Sequence, residues 1–131
     1  IAKVSIKKLI GNDKQIRQSK ILIMGATFKE NVSDIRNSKI VDIVNELKSF
    51  SVNVEVADPH ASSHDVQEEY GFSLADEITS GYDGIILAVA HDEYKNKPQS
   101  WFKSICNEHA FLLDLKGIYR DKINELEYWS L

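Results

Sequence analysis

The segment that joins the first predicted strand to the next helix carries the residues best suited to binding chemistry. It runs from Gly25 to Ser38, and a loop much longer than a strand-to-helix turn needs usually has a function. Lys29 and Arg36 supply two cations in this loop. The N-terminus of the following helix adds free N–H groups and the positive end of its dipole. The segment therefore predicts a site for an anionic ligand.

The same loop also has a purely structural interpretation. Asp34 can pair on the surface with Arg36 or Lys39, and four residues with cap-forming side chains precede the helix. Under this alternative the loop only caps the helix and binds no ligand. The four cap-forming residues are Ser33, Asp34, Asn37 and Ser38.

A dinucleotide site of the usual kind is not predicted in this loop. It has a single glycine, Gly25, and without the G-x-G-x-x-G pattern a pyrophosphate cannot approach the backbone closely. Asp58 ends the second predicted strand, where an acidic residue holds the ribose in such sites. It lies further along the chain than the roughly 20 residues that are usual there. Asp58 is therefore a candidate for a ribose contact and equally for a structural role.

Short apolar runs alternate with amphipathic segments and predict the elements that position this loop. Strands are predicted at 20–25, 52–57, 84–90 and 110–115, and helices from residue 40 onward and at 63–70, 74–79 and 99–107. The alternation predicts an α/β fold with a Rossmann-like, doubly wound parallel sheet and helices on both faces. Because ligands bind at the carboxyl ends of such strands, a site is expected in the loops that follow them.

Residues 1–18 fall outside this alternation. Val4, Ile6, Leu9 and Ile10 form an apolar face that ends at Gly11, which indicates the last part of a helix. We expect this helix to come from elsewhere in a longer protein, with a separate domain at residues 19–131.

Composition limits the classes of function. The chain has 43% hydrophobic and 27% charged residues, which is typical of a globular protein that folds in water. A net charge of −4 with both signs interspersed argues against a nucleic-acid binder. No apolar run approaches the roughly 20 residues of a membrane span, and no signal peptide is evident. A single cysteine excludes an internal disulfide, and we expect a cytoplasmic protein.

The other reactive side chains predict neither a metal site nor a nucleophile. The four histidines lack the spacing of metal ligands. His91 follows the third strand at the ligand-facing edge, and we expect it to bond a nearby carboxylate such as Asp92, with a place in the site as the minor alternative. Cys106 falls on the apolar side of the predicted helix with Phe102 and Ile105, so we expect a buried, inert thiol.

Two motifs in the loop after the first strand resemble the UDP-glucose/GDP-mannose dehydrogenase family. They are Gly25-x-Thr27-Phe28-Lys29-Glu30-Asn31 and Asp34-Ile35-Arg36-Asn37-Ser38-Lys39. The likeness covers about residues 19–121 and continues through Val56-Ala57-Asp58-Pro59, Ala88-Val89-Ala90-His91 and Leu113-Asp114-Leu115-Lys116-Gly117. Within the family, the two motifs are most similar to those of bacterial UDP-N-acetylhexosamine (mannosamine, galactosamine or glucosamine) 6-dehydrogenases, which make uronic acids for surface polysaccharides.

The resemblance implies a three-domain enzyme, and this chain is similar only to its C-terminal, UDP-binding domain. The family oxidises the carbon-six alcohol of a nucleotide sugar to a carboxylate and reduces two NAD molecules. NAD is bound mainly by the N-terminal domain, and a central helical domain makes a homodimer. Residues 1–18 would then be the tail of the central linking helix, and residues 19–131 the UDP-sugar-binding domain. We expect the isolated chain to be inactive, because the family's Gly-flanked catalytic cysteine is absent and Cys106 matches no part of that motif.

The resemblance also assigns roles to four residues. Phe28, Lys29 and Lys116 would contact the UDP-sugar substrate, and Arg36 would reach NAD across the cleft between domains. No catalytic residue and no metal ligand is expected in this chain. The physical argument from the loop agrees for Lys29 and Arg36, whereas Lys116 depends on the resemblance.

Two alternatives stay open at this point. One is a stand-alone Rossmann-like nucleotide-binding or regulatory module without catalytic activity. A receiver-type module is disfavoured, because its third strand should end in a phosphate-accepting Asp and here that strand ends in Ala90-His91. The other alternative is an interaction domain whose first loop is only a cap.

Overall fold

Five parallel strands form the sheet in the computed structural model, which describes residues 1–131. The strands are β1 (Lys20–Met24), β2 (Asn53–Ala57), β3 (Tyr82–Leu87), β4 (Cys106–Asp114) and β5 (Glu127–Ser130). Their order across the sheet is β2-β1-β3-β4-β5, and every neighbouring pair is parallel. The helices are α1 (Ala2–Gly11), α2 (Ile40–Ser49), α3 (Ser63–Tyr70) and α4 (Gln99–Ile105), with short 3-10 turns at Ile16–Gln18 and Asp92–Tyr94. The predicted doubly wound α/β fold is confirmed.

Both faces of the sheet are covered, which explains why the central strands are apolar at successive positions. In β1, Ile21 and Ile23 pack in the core layer that α1 and α2 cover, together with Val44 of α2. The alternate residues Leu22 and Met24 pack in the opposite layer with α4. Because successive side chains of a strand point to opposite faces, a strand covered on both sides has no polar face.

The strand order places a switch point between β1 and β3. From β1 the chain passes to β2 on one side, and from β2 it returns to β3 on the other side of β1. The loops that leave the carboxyl ends of β1 and β3 therefore diverge and open a crevice between them. This crevice is where the sequence predicts a ligand.

Two of the predicted helices differ from the structure. No helix forms at 74–79, where the N–H of Ala75 donates to the Val56 carbonyl of the edge strand β2 at 2.8 Å. Helix α4 ends at Ile105, two residues early, because Cys106 adopts an extended conformation and pairs with Tyr82 in the sheet. In both places pairing with a distant strand overrides the local helical pattern.

Strand β5 was not predicted from the sequence. It contains only four residues and pairs with β4 from Phe111↔Glu127 to Asp114↔Ser130. Tyr128 and Trp129 are good strand formers, but so short a run is not recognisable without its partner strand.

Helix α1 is present as predicted and packs on the sheet. Ala2, Ile6 and Leu9 are buried, whereas Ile10, which was predicted to lie on the apolar face, is 60% exposed. Beyond the helix, the Lys14 ammonium lies 3.0 Å from the carboxylate of Asp83, at the amino edge of the sheet. The division between residues 1–18 and 19–131 stays a prediction. None of the helices combines the length and apolarity needed to cross a bilayer.

Gly25 directly follows β1 and packs closely against Val89, which follows β3. Its φ is +106°, and an added Cβ would lie 2.5 Å from Cβ of Val89 and 2.8 Å from the Val89 backbone nitrogen. The glycine is thus used for a close approach between two strand ends of this sheet. A bound pyrophosphate is not needed to explain it.

We expect Gly25→Ala to destabilise the fold by about 2–4 kcal/mol, because backbone strain and overpacking against Val89 add up. The matched control is Gly11→Ala at the end of α1, where an added Cβ meets nothing within 4 Å. The control should be neutral or stabilising by up to about 1 kcal/mol. Urea unfolding followed by circular dichroism measures both, and equal midpoints for the two variants would contradict the close approach.

Candidate functional site

A cavity of about 290 Å³ opens at the carboxyl edge of the sheet, beside the switch point. The loop after β1 contributes Phe28 and Lys29, the loop after β4 contributes Lys116, and Lys39 stands before the first turn of α2. The floor is apolar and consists of Ile40, Ile43, Ala88, Val89 and Leu115. Three residues predicted to contact a ligand, Phe28, Lys29 and Lys116, are therefore brought to one cavity from distant parts of the chain.

The charged side chains around this cavity are all positive. Lys29, Lys39 and Lys116 line it, and no Asp or Glu does. None of the three lysines takes part in an ion pair. In a chain of net charge −4, three unpaired cations around one apolar floor fit an anionic ligand that also has an apolar part.

Lys39 was not predicted as a ligand-binding residue. In the sequence it was considered only as a surface partner for Asp34, yet in the structure it lies at the N-cap position of α2 and lines the cavity. Its position directly before the predicted helix could have indicated a role in the site, because a cation there lies at the same edge of the sheet as the helix N-terminus.

The loop does not cap α2 as the structural interpretation predicted, although the ion pair of that interpretation is present. No side chain makes a cap hydrogen bond at the start of α2, and the hydroxyl of Ser38 is buried without a partner. Asp34 instead binds Arg36 through two bonds of 3.0 Å, from Nε to Oδ1 and from Nη2 to Oδ2. These hydrogen bonds lower the pKa of the Asp34 carboxyl.

Arg36 lies apart from the three lysines. Its side chain is 80% exposed and borders a second cavity, of about 410 Å³, whose other charged residues are Asp34, Asp65, Glu68 and Glu69. Four carboxylates line this cavity, so the cavity itself is unfavourable for an anion. The two cations that the sequence grouped in one loop therefore face two different surfaces.

Asp58 is not available to hold a ribose. Its side chain is fully buried, and Oδ2 accepts the N–H groups of Ala26 at 2.6 Å and Thr27 at 3.2 Å. Oδ1 accepts the N–H groups of His60 at 2.7 Å and Ala61 at 3.0 Å. The carboxylate joins the loop after β1 to the loop after β2, so the structure favours the structural role over the ribose contact.

His91 bonds a carboxylate, as predicted, but the partner is Asp58 and not Asp92. Its ring is fully buried, and Nε2 lies 2.8 Å from Oδ2 of Asp58. Asp92 is exposed, and its N–H donates to the side-chain oxygen of Asn31. His91 does not border the lysine-lined cavity, so it has no direct place in the site.

A family model for the UDP-binding domain of the UDP-glucose/GDP-mannose dehydrogenase family matches residues 22–121. The chain is 38% identical over 122 residues to the UDP-N-acetyl-D-glucosamine 6-dehydrogenase of Pseudomonas aeruginosa, covering 92% of this chain and 29% of that protein. It is also 38% identical over 114 residues to the enzyme of that name from Salmonella typhi, covering 86% of this chain and 27% of the relative. The chain thus spans less than a third of the length of these curated relatives.

The fold is also similar to solved structures. An NDP-N-acetyl-D-galactosaminuronic acid dehydrogenase from Methanosarcina mazei Go1 superposes with a TM-score of 0.83 over 98% of this chain and 27% of that one. The sequence identity is 17%, so this match supports the fold alone.

Cys106 lies outside the cavity and is poorly reactive. It is the first residue of β4, not a helix residue as predicted, and it is half-buried. Burial, with a smaller contribution from the charge of Asp83, raises the pKa of the thiol to about 11. No group of histidine, cysteine and acidic side chains is arranged to hold a metal ion.

We expect the thiol of Cys106 in the folded chain to react with iodoacetamide about two orders of magnitude more slowly at pH 8 than in the urea-unfolded chain. An ordinary cysteine has a pKa of about 8.5, and only the thiolate reacts. Because the folded-state pKa is raised, the difference should shrink as the pH rises towards 11. Equal rates at pH 8, with folding verified by circular dichroism, would contradict the inert thiol.

Proposed function

The chain belongs to the UDP-glucose/GDP-mannose dehydrogenase family, whose UDP-binding domain it matches, and we propose that it holds the UDP end of a nucleotide sugar in an NAD-dependent 6-dehydrogenase. In the full-length protein this enzyme oxidises a UDP-N-acetylhexosamine to its uronic acid for the synthesis of a surface polysaccharide. Residues 19–131 form the UDP-sugar-binding domain, and residues 1–18 the end of the linking helix from a central, dimer-forming domain.

The observation that carries this proposal is the lysine-lined cavity. A UDP group has two negatively charged phosphates and a flat uracil ring. Lys29, Lys39 and Lys116 supply positive charge, and Phe28, 55% exposed at the same cavity, supplies an aromatic surface for a base. A charged rim over an apolar floor suits a ligand that combines an anion with a ring.

Substrate binding is proposed for this domain, and NAD binding and catalysis for the rest of the protein. The loop after β1 does not form a dinucleotide cradle, because its one glycine is packed against Val89. Cys106 is half-buried with a raised pKa and has no base beside it in the sequence. NAD binding and the catalytic thiol therefore belong to regions outside this chain, and the isolated chain produces no NADH.

Arg36 is proposed to contact NAD from across the domain cleft. It is exposed and separate from the lysine-lined cavity, as a residue that reaches a different ligand should be. Its present partner is Asp34. An exposed pair of this kind contributes little to stability, so the guanidinium can leave Asp34 and the acidic cavity at small cost to reach an anionic group held by another domain.

We expect Lys29→Ala in the full-length protein to weaken UDP-sugar binding by about one to two orders of magnitude, since a charge-assisted contact is worth about 1.5–3 kcal/mol. The matched control is Lys103→Ala on α4, whose ammonium pairs with Glu125 on the surface. Calorimetric titration with UDP-sugar measures the affinities, and melting temperatures show that all variants are folded. Equal affinities for wild type and Lys29→Ala would leave the loop without a role in binding.

Arg36→Ala in the full-length protein should raise the Michaelis constant for NAD several-fold more than that for the UDP-sugar, because its contact is proposed to be with the cofactor. Arg17→Ala, a substitution near the amino edge of the sheet, is the control. Steady-state kinetics with each substrate varied separately makes the comparison. A larger change in the Michaelis constant for the UDP-sugar than in that for NAD would show that Arg36 acts on the UDP-sugar and would contradict the proposed contact with NAD.

A further inference from the structure

We infer that His91, together with Asp58, is a positioning residue for the UDP-binding loop: it fixes the backbone at Lys29 without touching the ligand. This inference rests on the proposed function of the lysine-lined cavity. The buried unit consists of the side chains of Asp58, His91 and Thr27 and the backbone of the loop that they hold. Nothing in the family resemblance assigns a role to any of its members.

The unit begins with a carboxylate that gathers three loops. Asp58 accepts backbone N–H groups from the loop after β1 and from the loop after β2, and it also binds the His91 ring in the loop after β3. A carboxylate buried with several donors is stable only while those donors remain in place. The carboxyl ends of β1, β2 and β3 are therefore held in one arrangement.

The hydrogen bonds also determine which nitrogen of His91 carries the proton. Nδ1 lies 2.9 Å from the backbone nitrogen of Asn31, which is an obligatory donor, so Nδ1 is the acceptor. Nε2 must then carry the hydrogen, and it donates to Oδ2 of Asp58 at 2.8 Å. The ring is thus the neutral Nε2–H tautomer and bridges Asp58 to the far end of the loop.

Thr27 links His91 to the backbone of Lys29. Its hydroxyl lies 3.2 Å from Nε2 of His91 and donates to the Lys29 carbonyl at 2.8 Å. Because Thr27 uses its hydrogen on that carbonyl, it faces His91 as an acceptor. The backbone on both sides of Lys29 is therefore fixed, through Thr27 on one side and through Asn31 on the other.

A positioning role explains why so polar a unit is buried beside an otherwise apolar core. A buried network whose members are all satisfied specifies one geometry, and binding sites need side chains held close to their working positions. Lys29 is exposed and has no ion pair of its own. Its starting position is consequently set by its backbone, and the backbone is set by His91 and Thr27.

Two conservative substitutions separate the two halves of the His91 bridge. In the full-length protein, His91→Gln retains a donor at the position of Nε2, whereas His91→Asn retains an acceptor at the position of Nδ1 and removes the donor. We expect each variant to raise the dissociation constant of UDP about tenfold, because each breaks one half of the bridge and small displacements of a binding group are costly. The turnover number at saturating substrate should change less than twofold in both.

Two controls make the result specific. Val66→Ala removes two buried methyl groups from α3, a helix that does not line the lysine-lined cavity, so it should lower the melting temperature without changing UDP affinity. His64→Ala, at an exposed position of α3, should change neither. A loss of UDP affinity in His91→Asn at a melting temperature no lower than that of Val66→Ala supports positioning.

Lys29→Ala, measured in the same titrations, separates this inference from the proposed function. If Lys29→Ala weakens UDP binding while His91→Asn binds UDP like the wild type, the positioning role is refuted and the site stands. If neither variant changes UDP affinity, the proposed site itself is refuted. If His91→Asn and Val66→Ala lose affinity equally at equal stability, His91 is only structural and the inference is overturned.

Discussion

The fold around the proposed site depends on one buried carboxylate. Asp58 directly follows β2, and four backbone N–H groups and the ring of His91 converge on it from three loops. Removing a charge from water costs several kcal/mol unless hydrogen bonds replace its hydration. These five donors replace that hydration. The loops that carry them therefore cannot separate without leaving the Asp58 carboxylate short of hydrogen-bond partners. Asp58 thereby ties together the three loops at the carboxyl edge of the sheet.

The parallel topology then supplies the surface proposed to bind the ligand. All carboxyl ends lie on one edge, so Phe28 and Lys29 meet Lys116 although nearly the whole sheet separates them in sequence. The N-terminus of α2 opens on the same edge, because a helix that follows a parallel strand begins where that strand ends. Lys39 marks that point. The parallel topology thus brings the three lysines to one cavity although they are not clustered in the sequence.

Those features that follow from local patterns were predictable, and those that depend on distant pairing were not. The runs around Leu22 and Ile85 predicted central strands, because a strand covered on both faces must be apolar throughout. The helix at 63–70 and its end at Gly71, which has a φ of +82°, also followed from sequence. In contrast, β5 and the early end of α4 are set by pairing with β4 and β3. The partner of His91 was missed for the same reason, since Asp92 is the nearer carboxylate in sequence and Asp58 the nearer one in space.

The two ends of the loop after β1 are held with unequal strength, and this difference matches the two ligands proposed for them. At Lys29 the backbone is fixed by a buried network. The conformational entropy of that end is therefore lost when the domain folds and not when a ligand binds. At Arg36 the only restraint is a surface ion pair with Asp34, which is weak and screened by salt. The end proposed to bind the sugar nucleotide is therefore ordered within this domain, whereas the guanidinium can turn away from Asp34 towards the surface proposed for another domain. A single loop can in this way serve a ligand within its own domain and one across a cleft.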